Sequence, residues 1–133
     1  MAKWVDAGEN RVANQLFGAT AVDTTLYIGI YTSPTTEPGE TAVINDLTEP
    51  SGSGYARIAL TRGTWVVSGS AATYAQQTFA ASGGSWGACY GYFVATSSAG
   101  TGGALMYVEQ FSSGPYSIGD GDSIKITPSV AVA

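Results

Sequence analysis

From Thr25 onward the chain alternates apolar and other side chains with a period of two, and turn residues cut that alternation into short pieces. In 25–32 (TLYIGIYT), Leu26, Ile28 and Ile30 fall on one face and Tyr27, Gly29 and Tyr31 on the other, as in a strand whose successive side chains point to opposite sides. Further segments of this kind span 55–61, 64–68, 73–80, 88–95, 104–111 and 123–127. They are parted by Arg62-Gly63, Ser68-Gly69-Ser70, Ser82-Gly83-Gly84, the glycine-rich run 99–103 and Gly119-Asp120-Gly121-Asp122, all turn compositions. Most of these linkers are too short for the crossover that parallel strands need, so the expected pairing is antiparallel. An all-β fold follows: an antiparallel two-sheet sandwich, jelly-roll-like, whose core is filled by Trp65, Tyr74, Phe79, Trp86, Tyr90, Tyr92, Phe93, Tyr107 and Phe111. With 133 residues the chain is expected to form a single domain, 1–133.

One stretch departs from the period of two. Residues 6–18 (DAGENRVANQLFG) bring Val12, Ala13, Leu16 and Phe17 together at helical spacing, with Asp6 and Glu9 placed as in a capping box and Gly18 at the end. Residues 1–18 are therefore expected to form a short N-terminal helical segment. Trp4 and Val5 either staple its entry or dock on a neighbouring subunit. The region 33–54 holds Pro34, Pro38 and Pro50 together with Glu37, Glu40, Asp46 and Glu49. Proline cannot donate to a strand ladder, so no central strand crosses this region, although 41–44 is compatible with a short edge segment. Loops of this length in a small domain are functional or mobile, which makes this one a candidate contact surface.

The residue inventory excludes most chemistry. The chain has no histidine, which removes Ser-His and Cys-His triads, histidine metal sites and the usual neutral-pH base. Its lysines, Lys3 and Lys125, are not placed to activate a serine. Glu109 stands in an apolar strand, on the face of Leu105, Tyr107 and Phe111 if alternation holds, without a second acid in similar context, so it is read as a partner of Arg57 or Arg62 or as a boundary residue. Gly119-Asp120-Gly121-Asp122 lacks the remaining ligands of a calcium loop and is read as a turn. The single cysteine, Cys89, forms no intrachain disulfide and reads as a small core residue of a chain made in a reducing cytosol. No catalytic residue, metal site or cofactor is expected. A net charge of −5 with five scattered basic residues is the wrong sign for direct contact with nucleic acid, and no apolar run approaches the ~18 residues of a membrane span, so neither a membrane nor an export signal is expected.

Charged residues make up only 11% of the chain, leaving a surface of Gly, Ser, Thr and Ala that loses little side-chain entropy when covered by another protein. The candidate interface residues are Trp4, Leu16 and Phe17 in the N-terminal segment, and Pro34, Glu37, Pro38, Glu40, Asp46 and Glu49 in the long loop. The succession of 54–62 (GYARIALTR) with Trp65, 74–79 (YAQQTF), 90–94 (YGYFV), 111–116 (FSSGPY) and 121–128 (GDSIKITP) resembles small virion structural proteins of tailed bacteriophages. That resemblance implies a place in the virion and no catalytic residue. It further implies a capsid decoration, or cement, protein that binds the major capsid protein across subunit boundaries, commonly as a homotrimer. A tail or neck component is the alternative within the same class. From a different class, a glycan-binding module is suggested by Tyr27, Tyr31, Trp86 and Tyr90, if their rings are exposed for stacking.

Overall fold

The computed structural model describes residues 2–132. Its elements are β1 (Lys3–Trp4), helix α1 (Asp6–Phe17), β2 (Thr25–Tyr31), a single 3-10 turn (Ile44–Asp46), β3 (Ile58–Thr61), β4 (Val66–Ser68), β5 (Ala71–Thr73), β6 (Gln77–Ala80), β7 (Gly87–Cys89), β8 (Gly91–Ala95), β9 (Leu105–Gln110), β10 (Tyr116–Ile118), β11 (Ser123–Ile126) and β12 (Ser129–Ala131). Every ladder between these strands is antiparallel. The strands form a central five-stranded sheet in the order β1-β9-β8-β2-β3, two hairpin-sized sheets, β10-β7 and β11-β6, and a three-stranded sheet, β12-β5-β4.

The all-β antiparallel fold with an N-terminal helix is as the sequence suggests, but the ladders define four sheets where a closed two-sheet jelly roll shows two. Chain punctuation accounts for this. Gly69 at φ 59° and Gly83 at φ 84° turn the chain where a residue with a Cβ is strained, leaving strands of three or four residues that each hold few partners. The expected strand 73–80 is divided between β5, which pairs with β4 and β12, and β6, which pairs with β11, with Tyr74, Ala75 and Gln76 outside both.

Both faces of the central sheet are covered. Ile28, Ile30, Leu60, Tyr92, Val94 and Met106 pack on one side against Phe79, Trp86, Ile118, Ile126 and Val130 from the smaller sheets. Tyr31, Phe93, Ala95, Leu105 and Val108 form the other side, closed by Val5 and by Ala42, Ile44 and Leu47 of the long loop. Residues 91–95 and 105–108 are accordingly buried throughout, without the polar-out alternation of a half-exposed strand. Between Val94 and Ala95 the register slips, pairing Val94 with Tyr107 but Ala95 with Leu105. Met106 is the extra residue of a bulge, so Met106 and Tyr107 both join the first cluster while Leu105 joins the second. Glu109 therefore shares a side with Tyr107 and Tyr92 and not with Leu105; the alternation assumed from sequence ends at the bulge.

The long loop covers the second face of the sheet with Ala42, Ile44 and Leu47, while its Glu37, Glu40 and Asp46 stay exposed. It is closed at its base by a bridge between Ser33 and Thr48, with the Thr32 amide donating to the Thr48 carbonyl at 2.6 Å. Its segment 41–44 runs as a turn into the 3-10 helix and adds no edge strand. Three apolar side chains in a loop otherwise rich in Pro and Glu contribute to holding it down, those of Ile44 and Leu47 worth roughly 1.5–3 kcal/mol each on full burial.

Candidate functional site

Helix α1 is seated through its N-terminal half. Val5 is fully buried and occupies the N-cap without a side-chain hydrogen bond, so Asp6 is the first helical residue and the capping box expected from Asp6 and Glu9 does not form. Trp4 and Val5 do anchor the entry within the chain: Trp4 lies in β1 beside β9, packs on the Tyr107 ring at 5.7 Å between centroids, and donates its indole N–H to the Ala131 carbonyl at 2.8 Å. Gly8 faces the sheet so closely that a Cβ there would overlap the Met106 carbonyl. Behind it the ion pair of Arg11 with Asp23, at 2.6 Å and supported by Gln15, ties the helix flank to the segment before β2. Arg11 and Gln15 hold the Asp23 carboxyl below the usual carboxylate range, against an opposing effect of burial.

The apolar stripe read from the sequence points away from this seat. Val12 is partly buried, but Leu16 is 69% exposed and Phe17 88%. Together with Trp4, Glu9, Ala13 and Val132 they line an open groove of about 380 Å³. A second recess of about 230 Å³ lies against Trp4 and Val12 from the other side and reaches Val22, Leu26, Leu60, Trp65 and Met106. Val132, also largely exposed, completes the groove from the end of β12. The sequence carries no signal for it, because a segment as short as 129–132 (SVAV) has too few residues for a period to show.

The loop candidates divide by role. Pro38 and Pro50 are buried and Pro34 partly so; Glu37, Glu40 and Asp46 are exposed. Asp46 accepts the Val43 amide at 3.0 Å and so caps the 3-10 turn. The Glu40 carbonyl receives the Asp6 amide at 2.8 Å, which brings its acidic residue beside the start of α1. Glu49 is structural. Its carboxylate accepts from Arg57 Nε at 2.9 Å and Nη2 at 2.7 Å and from the Tyr55 hydroxyl at 2.6 Å. Arg57 also donates to the carbonyls of Ser97 and Gly100 and lies over the Phe93 ring. Arg57 thus pairs with Glu49, not with Glu109, to which Tyr92 is hydrogen-bonded. This network clamps the loop to the sheet edge and the 97–100 turn; it was missed in the sequence because its members are scattered between Glu49 and Gly100.

Among the described residues no cluster of three metal-ligating side chains occurs. Asp122 accepts the Gly119 amide within the glycine-aspartate run and Asp120 accepts the Gly83 amide, so the run is a turn tied to the neighbouring 82–84 turn. Cys89 is buried, which pushes its thiol pKa up and away from nucleophilic use. The aromatic quartet Tyr27, Tyr31, Trp86 and Tyr90 makes no stacking platform: Tyr31 and Trp86 are buried, and Tyr27 and Tyr90 are half-buried.

What the molecule presents is an apolar groove on a firmly seated helix, without a reactive group near it. No curated protein matches the sequence. The family model described as podophage GP4 fiber I protein gp80 matches residues 3–131, from β1 to the end of β12. The chain therefore belongs to the Gp80 family of podophage fiber I proteins, which are non-catalytic structural proteins of the tailed-phage virion.

Proposed function

We propose that the chain is a structural subunit of a virion fiber, on the tail side of the particle, that attaches to neighbouring virion proteins through the outward face of α1. The observation that carries this reading is the match of nearly the whole chain to a fiber protein family, which favours the tail or neck alternative over capsid decoration. The groove supports the attachment. Leu16 and Phe17 each gain roughly 1.5–3 kcal/mol on full burial, well short of certain stable binding once association costs about 4–15 kcal/mol. Repetition along a fiber makes such weak contacts effectively permanent when several engage at once. Self-assembly, expected as a trimer, has a separate surface in β4, whose Val66 and Val67 lie exposed on the open edge of its sheet.

The test is localisation. Virions carrying an epitope at the exposed 99–103 turn are labelled and imaged by electron microscopy. Label on fibers is expected; label distributed over the shell, with binding of the purified protein to the major capsid protein, refutes the fiber reading and restores decoration. Sedimentation of the purified chain then reports whether a trimer forms, and a Val67→Lys variant should reduce it to monomer.

A further inference from the structure

We infer that the groove on α1 takes a basic amphipathic segment of another protein, with apolar side chains seated between Leu16, Phe17 and Val132 and Lys or Arg side chains against Asp6 and Glu9. This names the partner chemistry of the attachment surface above and rests on that reading.

The rim of the groove carries the charge argument. Glu9 lines the groove itself, and Asp6, one helical turn earlier on the same flank of α1, is exposed. Among the described residues neither is in a salt bridge; the ion pairs are Arg11 with Asp23 and Arg57 with Glu49. A second copy of the chain fits this rim poorly. A symmetric contact sets this acidic patch against an identical one, the last turn of α1 has no basic residue to meet it, and the Arg11 guanidinium is already engaged by Asp23 at two atoms. The chain as a whole is at −5. A partner of opposite sign supplies both orientation and association rate.

The geometry also points to side chains entering the groove, and not to a strand added along its wall. The Ala131 carbonyl on the groove side of β12 is taken by the Trp4 indole, and the Val132 amide donates to Ser70 at 2.8 Å. Backbone groups there are engaged, while the apolar side chains are not. A helix presenting apolar residues at i, i+3 and i+4 matches such a groove.

The probe is a pair of synthetic amphipathic helical peptides with the same leucine face, one with lysine and one with glutamate on the polar face. Binding is followed by the fluorescence of Trp4, identified by its loss in Trp4→Phe, and by calorimetry. The lysine peptide is expected to saturate the intact protein and to bind about tenfold or more tightly than the glutamate peptide, with the difference shrinking in high salt. Phe17→Asp should abolish binding of the lysine peptide while leaving the thermal melt unchanged, because the side chain is exposed. Asp6→Lys with Glu9→Lys should reverse the preference between the peptides. Equal binding of both peptides, no binding of either, or retention of preference in the double variant overturns the inference. So does a concentration-dependent dimer of the intact chain that Phe17→Asp dissolves, since the occupant is then a second copy. Fiber localisation is read independently on virions, so failure here leaves that reading standing, and label on the shell leaves the peptide result to be judged by itself.

Discussion

Replacing Arg57 by methionine separates the role of the clamp from that of the core. The guanidinium side chain is 1% exposed and makes five hydrogen bonds, two to Glu49, two to Ser97 and one to Gly100, besides its contact with Phe93 at 5.2 Å from the ring centre. Methionine retains much of the apolar stem, so the loss is electrostatic. Glu49 is left with the Tyr55 hydroxyl alone, and the Ser97 and Gly100 carbonyls lose a donor. Breaking a buried pair by removing one partner costs about 3–5 kcal/mol. The Glu49 side chain is 23% exposed and can recruit water, which places the expected cost near the lower end, about 3 kcal/mol. For a domain of this size that corresponds to a fall in Tm on the order of 10 °C. Calorimetry on Arg57→Met, Glu49→Gln and the double variant measures it. The double variant should be less destabilised than the sum of the single ones by at least about 1.5 kcal/mol, since each single change leaves the other group stranded. A Tm within about 2 °C of the parent for Arg57→Met, or strict additivity, refutes the view that this network holds the loop down.

Three further outcomes are expected. Gly8→Ala, which at an exposed helical site gains about 1 kcal/mol, should here destabilise by about 1–3 kcal/mol because the new Cβ meets the Met106 backbone; denaturant unfolding checks the sign. Asp23 titrates lower in the folded chain than in the unfolded one, so its contribution is present above the ordinary aspartate value of about 3.9 and is lost as pH falls through the folded value; the Tm gap between parent and Asp23→Asn should close in that acid range. Tyr31 has the opposite sense: burial first, then Glu37 and Glu109, pushes its phenol up to about 12. Stability held below the ordinary tyrosine value of about 10 is therefore lost as pH rises through about 12, and Tyr31→Phe, which also removes a buried hydroxyl without a partner, should flatten the loss in alkaline melts.

The parts of the fold legible in the sequence are those where one local rule dominates. Strand β2 lies within the run 25–32, since its alternation is uninterrupted, and α1 lies within 6–18. The sheet count was not legible, because a strand of three residues such as β10 or β12 has no periodicity to detect. Nor was the burial of the long loop: Ala42, Ile44 and Leu47 are spaced as neither helix nor strand, and their role appears only when a sheet face needs covering. At the site Trp4, Leu16 and Phe17, grouped in the sequence, line one groove, which Val132, distant in the chain, completes. Glu49 looked like its acidic neighbours until Arg57 was brought beside it. These are long-range pairings, and composition is silent about them.

The placement of the long loop bears directly on where this protein can make contacts. A sheet covered on one face by the smaller sheets and on the other by a clamped loop has no broad apolar surface left to share. Scattered exposed apolar residues need no explanation in any domain, but Leu16, Phe17 and Val132 gather with Trp4 around one groove. Their exposure follows from how α1 is seated. Gly8 brings the helix backbone against Met106, so the residues facing inward are Gly8 and Val12, while the wider stripe containing Ala13, Leu16 and Phe17 is turned outward. Removing residues 1–18 to probe this surface would also strip β1 from β9 and Val5 from the core. Only substitutions at the exposed side chains keep the fold constant while changing the face, and a loss of fiber assembly in Leu16→Asp or Phe17→Asp virions, with the melt unaltered, would assign the contact to this stripe.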